Sequence, residues 1–316
     1  MRIETVLGPI DPSELGVTDA HDHLITIGGG EVRADPDLAL PSVEAAVQEL
    51  SEFHRSGGQA LVEMGVIGIG RSIEHLIEVA KCVPQVHIIA ATGFHRTAFY
   101  EVTHWVHHYS VDEIAELIVS EITEGIEIHC YDGPLVKRSS AKAGVIKLGT
   151  SYNCITELEK KLFLAVALAH RATGAPISTH TEAGTMGIEQ LALLKEHGVK
   201  PERVIIGHLD RCPDFWYHKK IAAEGAYVLY TGASRVKYWP DEVQVNLIKR
   251  MVKAGFGKHI LLGMDMGRAS YWRAYGGGPG MSYLLTRFIP RLLESGVSER
   301  AVEDMLINNP RQVFAF

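Results

Sequence analysis

An α/β fold whose eight parallel strands close into a barrel is what the sequence predicts, and three observations predict it. Short β-rich apolar runs alternate with longer helical patterns along the chain. The connections between them are short, as in a parallel sheet with crossover helices. Eight such runs in 316 residues suit a closed (β/α)8 TIM barrel better than an open doubly wound sheet. No GxGxxG follows the first run to argue for a dinucleotide crevice.

In chain order the predicted strands are GVTDAHDH (16–23), ALVEM (60–64), HIIAATG (87–93), GVIKLG (144–149), PISTH (176–180), RVIIGH (203–208), AYVLYTG (226–232) and HILLGMD (259–265). Amphipathic helices are predicted over 42–57, 111–125, 156–174 and 187–198, several stopping at glycine after a charged last turn. Residues 1–16 read as a short segment packing on the barrel. YGGGPG (275–280) reads as a loop and no linker-like stretch interrupts the chain, so residues 1–316 are expected to form one domain.

Apolar residues make up 46% of the chain, enough for a sizeable core, and the net charge of −7 argues against nucleic acid as the main partner. It leaves room for a local basic pocket. Cys82, Cys130, Cys154 and Cys212 form no CxxC pair and read as reduced core or near-core thiols of a cytoplasmic protein. The first residues contain no apolar signal-type run, and nothing approaches the ~20 apolar residues that span a membrane.

Several of the sixteen histidines fall at predicted strand ends. Residues i and i+2 of a strand share a face. His21 and His23 would therefore project together into the lumen, at the end where barrel active sites are built. Taken alone, the pair suits metal ligands or hydrogen-bonded core groups. His180 ends the fifth predicted strand, His208 the sixth and Asp265 the eighth. Four imidazoles and a carboxylate converging on one rim suit Zn2+, Mn2+, Fe2+ or Co2+. Lys147 stands among Val145, Ile146 and Leu148, where an unpaired ammonium is costly and burial lowers its pKa. It could react with CO2 to give a carbamate that bridges two metal ions, or pair with Glu63 or Asp265; the residues alone leave both open.

This set of residues, with TVLGPI, TDAHDHL, AATG, AGVIKLGTS, STHTEAGT, IGHLDR and NNPRQVF, resembles the phosphotriesterase family of the amidohydrolase superfamily essentially from end to end. The resemblance implies a binuclear metal centre. His21, His23 and Asp265 would hold the more buried ion, His180 and His208 the more exposed one, with carboxylated Lys147 and a hydroxide between them. It implies hydrolysis with no organic cofactor, the hydroxide forming at neutral pH beside two divalent ions and Asp265 taking up the proton released on attack. Zinc is the first expectation, with manganese, cobalt or iron also suited. A homodimer is expected from the family alone.

The loops after the last two predicted strands, GASRVKYWPDEVQ and MGRASYWRAYGGGPG, concentrate positive charge in an acidic chain. Such loops often form the phosphate site of a barrel. Lys237, Arg268 and Tyr271 together point to anion binding, with a point charge, a planar fork and a neutral donor. Arg235, Arg273 and Tyr275 lie in the same loops without so clear a role, and His95 is a weaker pocket residue. The loops resemble the family branch that hydrolyses phosphorylated sugar γ-lactones, implying that Lys237, Arg268 and Tyr271 hold the substrate's phosphate. The alternatives are an organophosphate triesterase or acyl-homoserine lactonase, which would want an apolar rim, and a non-catalytic metal-binding homologue, which would be expected to lack a ligand.

Overall fold

The computed structural model describes residues 1–316, the side chain of Glu31 excepted. Two short strands, β1 (Ile3–Thr5) and β2 (Gly8–Ile10), form an antiparallel hairpin. The barrel strands follow as β3 (Thr18–Asp22), β4 (Ala60–Glu63), β5 (His87–Gly93), β6 (Ala143–Thr150), β7 (Ile177–Thr181), β8 (Val204–Gly207), β9 (Tyr227–Tyr230) and β10 (Ile260–Leu262). They neighbour one another in sequence order, all parallel. Past the end of β10, the amides of Met264 and Asp265 donate to the His21 carbonyl at 3.2 and 2.9 Å and draw the last strand to the first. The fold is the predicted single-domain (β/α)8 barrel.

Strand alternation divides the core in two. Ala60, Val62, Ile89, Ala91, Val145, Ile205, Leu229 and Leu261 fill the lumen. Their neighbours Leu61, Ile88, Ala90, Ile146, Val204, Ile206 and Val228 face the helices. Lys147, two residues beyond Val145, is thereby directed inward.

The helices lie close to the predicted spans, at Val43–Arg55, Val111–Thr123, Glu157–Thr173 and Gly187–Glu196. Ser110 with Glu113 and Thr156 with Glu159 form capping boxes that satisfy orphan amides at two of these helix starts. Gly174 ends the longest of the four at φ +78°, a conformation glycine adopts without steric cost.

The terminal segments cover the amino-terminal end of the barrel. Val6 N–H donates to the Ile88 carbonyl at 2.8 Å, and Arg2 and Phe316 exchange backbone hydrogen bonds. Phe314 is buried beside Ile3 and Leu15.

Two expectations are corrected. The predicted strands 16–23, 203–208 and 259–265 run past their observed ends, so His23, His208 and Asp265 lie just beyond the sheet. His208 and Asp265 take φ +60° and +50°, left-handed conformations that no strand accommodates. Cys82 and Cys154 are exposed free thiols rather than core ones. Among the described residues, no helix is long and apolar enough to cross a membrane.

Candidate metal centre and its cavity

The carboxyl ends of the strands frame a cavity of about 210 Å³. His21 enters it from β3, whose pairing with β4 slips between Asp19 and Asp22; a bulge replaces the plain alternation expected there. His21 Nε2 and His23 Nε2 each lie 3.5 Å from Asp265 Oδ1. These three side chains offer donor atoms within 4.8 Å of one another. The His208 ring stands 4.6 Å from that of His21 and 4.7 Å from that of His180.

Lys147 is 2% exposed and its ammonium donates to the Met64 carbonyl at 3.0 Å. Neither acid considered as its partner pairs with it directly. Glu63 accepts the amides of Leu24 and Gly65 and faces His23 Nδ1 at 3.7 Å, while Asp265 Oδ2 takes Arg211 Nη2 at 2.8 Å. Burial lowers the Lys147 pKa to about 8, against the opposing pull of Asp265 and Glu63.

Burial also holds His21 down to about 3 and His180 to about 4, so both rings are neutral at pH 7. It works against charging His23 as well, but the facing carboxylates of Asp265 and Glu63 outweigh it and push that ring up to about 9. Desolvation opposes the Asp265 carboxylate, yet His208, His21 and His23 keep its pKa well below the ordinary value.

The donor set fits divalent cations. Both ring nitrogens of His21 are buried with no hydrogen-bond partner among the described residues, an arrangement costing ~1–3 kcal/mol that ligation would relieve. His180 engages Glu182 through Nε2 at 2.9 Å, leaving Nδ1 for a ligand. His208 engages Thr231 through Nδ1 at 2.7 Å, leaving Nε2. One nitrogen held and the other free is how metal-ligating imidazoles are oriented.

Lys237, Arg268 and Tyr271 line the same cavity. Lys237 Nζ lies 5.6 Å from the centre of the Tyr271 ring, and Arg268 Nη1 is braced by Asp35 at 2.7 Å and Asp37 at 3.3 Å. Arg235 also reaches the cavity, but it is 5% exposed and donates to the carbonyls of Met264 and Asp265. Arg273 faces Glu52 at 3.7 Å and Tyr275 accepts the Ser42 amide, so neither belongs to the cavity. His95 does, with its ring 4.4 Å from that of His180.

Arg96, Glu182 and Arg211 were not anticipated from sequence, although all three line the cavity. Their signal is position: Glu182 stands two residues beyond His180 in STHTE, and Arg211 three beyond His208 in GHLDR.

A parallel barrel with a histidine-rich, carboxylate-centred cavity at its carboxyl rim has the form of a metal-dependent hydrolase. Residues 1–314 match the phosphotriesterase family, and the chain belongs to it. A phospho-furanose lactonase from Mycoplasmopsis synoviae (strain 53) is 41% identical over 321 residues, 99% of this chain and 91% of that protein. The crystal structure of a lactonase from Listeria monocytogenes superposes with a TM-score of 0.92 at 32% identity, covering 100% of this chain and 99% of that one. The phosphotriesterase homology protein of Escherichia coli, solved with phosphate in its active site, gives 0.88 at 38% identity over 96% of this chain and 100% of that one.

Proposed function

We propose that this chain is a binuclear metal-dependent lactonase that opens 1,4-lactones of 5-phosphorylated pentoses. The carrying observation is that one cavity holds the ligand cluster together with Lys237, Arg268 and Tyr271. The lactonase relatives and the phosphate in the Escherichia coli structure support the same reading. An organophosphate triesterase or an acyl-homoserine lactonase calls for an apolar rim, where this cavity presents Arg96, Arg211, Lys237 and Arg268.

In this reading His21, His23 and Asp265 hold one cation and His180 and His208 the other. Lys147, as the carbamate formed from its neutral amine and CO2, would supply them a further carboxylate-type ligand. Zinc is the proposed metal; manganese, cobalt and iron suit the same donors. Divalent cations held there acidify water and polarise a carbonyl oxygen. Asp265 accepts the proton lost by the attacking water and passes it to the ring oxygen as the acyl C–O bond breaks. Lys237, Arg268 and Tyr271 hold the phosphate and so set the lactone over the cluster. A cytoplasmic site of action and a homodimeric assembly belong to the same proposal.

The test is steady-state hydrolysis of stereoisomeric 1,4-lactones with and without the 5-phosphate, on protein of measured metal content. One charge-assisted contact is worth ~1.5–3 kcal/mol, so kcat/KM should favour the phosphorylated lactone by about 10- to 150-fold. Equal values for the two would remove the phosphate site from the proposal. Inertness toward the whole panel while fully metallated would remove the enzyme.

A further inference from the structure

Asp265 stands in a backbone conformation of φ +50° beyond the end of β10, so its placement depends on side chains that reach it from other loops. Two arginines do so. Arg211 Nη2 donates to Asp265 Oδ2 at 2.8 Å, leaving Oδ1 toward His21 and His23. Arg235 Nη2 donates to the Asp265 carbonyl at 2.8 Å.

Each guanidinium also packs on a tyrosine whose ring it shares with Lys237. Arg211 lies 4.9 Å from the centre of the Tyr238 ring and Lys237 Nζ lies 5.1 Å from it. Arg235 lies 3.8 Å from the Tyr271 ring and Lys237 Nζ 5.6 Å. Trp239 Nε1 ties the same loop to the Arg211 carbonyl at 3.1 Å. Lys237 thus meets the side chain of Asp265 through Tyr238 and Arg211, and its backbone through Tyr271 and Arg235.

Like charges sharing an aromatic ring oppose one another. An anion on Lys237 cancels that opposition and lets both guanidiniums settle on their rings and on Asp265. Resting on the lactonase reading above, we infer that Arg211 and Arg235 are positioning residues that couple occupation of the anion end to the placement of Asp265. The substrate's phosphate then raises kcat as well as lowering KM, its binding energy being used at the reacting carbonyl.

The experiment compares kcat and KM for a phosphorylated and an unphosphorylated 1,4-lactone in the wild type, Tyr238→Leu and Tyr238→Phe, all at matched metal content. Tyr238 is 38% exposed, so its replacement leaves the core intact. In the wild type the phosphate should raise kcat about tenfold or more. Tyr238→Leu should cut that kcat ratio at least about threefold while the KM of the phosphorylated lactone stays within about twofold, and Tyr238→Phe, which keeps the ring, should restore the ratio. A wild-type preference confined to KM overturns the coupling and leaves the lactonase reading standing. A kcat ratio unchanged in Tyr238→Leu also overturns it, and no preference in kcat/KM removes both readings.

Discussion

Lys147 sets a charge that prefers water into a lumen that excludes it. Its amine has a carbonyl for a partner and no direct carboxylate, and burial brings its pKa to about 8. Carbamate formation needs the unprotonated amine, so the sign of the pH dependence follows. Below about 8 the neutral fraction, and with it the rate of recovery of chelator-treated protein given metal and CO2, should fall about tenfold per pH unit; above 8 it should level off. Recovery of activity timed at fixed dissolved CO2 between pH 6 and 9 checks this, and a pH-independent rate would exclude the amine as reactant. Lys147 was legible because one cationic residue stands out in an apolar strand. Arg211 was not, because nothing in HLDR announces which loop its guanidinium will cross to meet.

Among elements, β3 and the segment after β10 are held together by two buried carboxylates. Asp19 Oδ1 accepts the amides of His21 and Met264, and Asp22 Oδ1 those of His23 and Met266. Each thus joins a histidine of the cluster to the loop bearing Asp265. The period-2 reading that paired His21 with His23 expects them in one cavity, and both line it, but the rule is too simple, since the bulge between Asp19 and Asp22 intervenes and two acids hold the irregular stretch in place. Burial raises Asp19 to about 7 and Asp22 well above the ordinary range, and the Oδ2 of each is buried with no hydrogen-bond partner among the described residues. A carboxyl whose pKa is raised on folding contributes stability that is complete at acid pH and lost as pH rises through the folded value. Stability should therefore decline from this source between about pH 4 and 7. Asp19→Asn removes one of the two titrating carboxyls, so the decline should be shallower by on the order of 2 kcal/mol across that window. Urea midpoints of the two proteins at several pH values measure the difference, and parallel profiles would refute the raised Asp19 carboxyl.

At the scale of the whole molecule, the barrel was legible because eight short apolar runs alternate with helical patterns through short connections, each run buried on both faces like Val145 inward and Ile146 outward. Contacts between segments far apart in sequence were not legible, and they close both ends. At the carboxyl rim they assemble the cavity; at the amino-terminal end Phe314 lies fully buried with Ile3 and Leu15 beneath the lumen. The rim of a barrel bears the chemistry and the opposite end the stability, so substitutions at the two ends should separate these properties. Phe314→Ala removes a buried aromatic ring and should cost ~3–5 kcal/mol of folding stability. Because the ring lies at the far end of the lumen from the cavity, KM for the phosphorylated lactone should stay within about twofold of wild type at temperatures where the variant is folded. Urea unfolding and steady-state kinetics on the same preparation decide it: a raised KM with unchanged stability would mean that the far end of the barrel shapes the site after all.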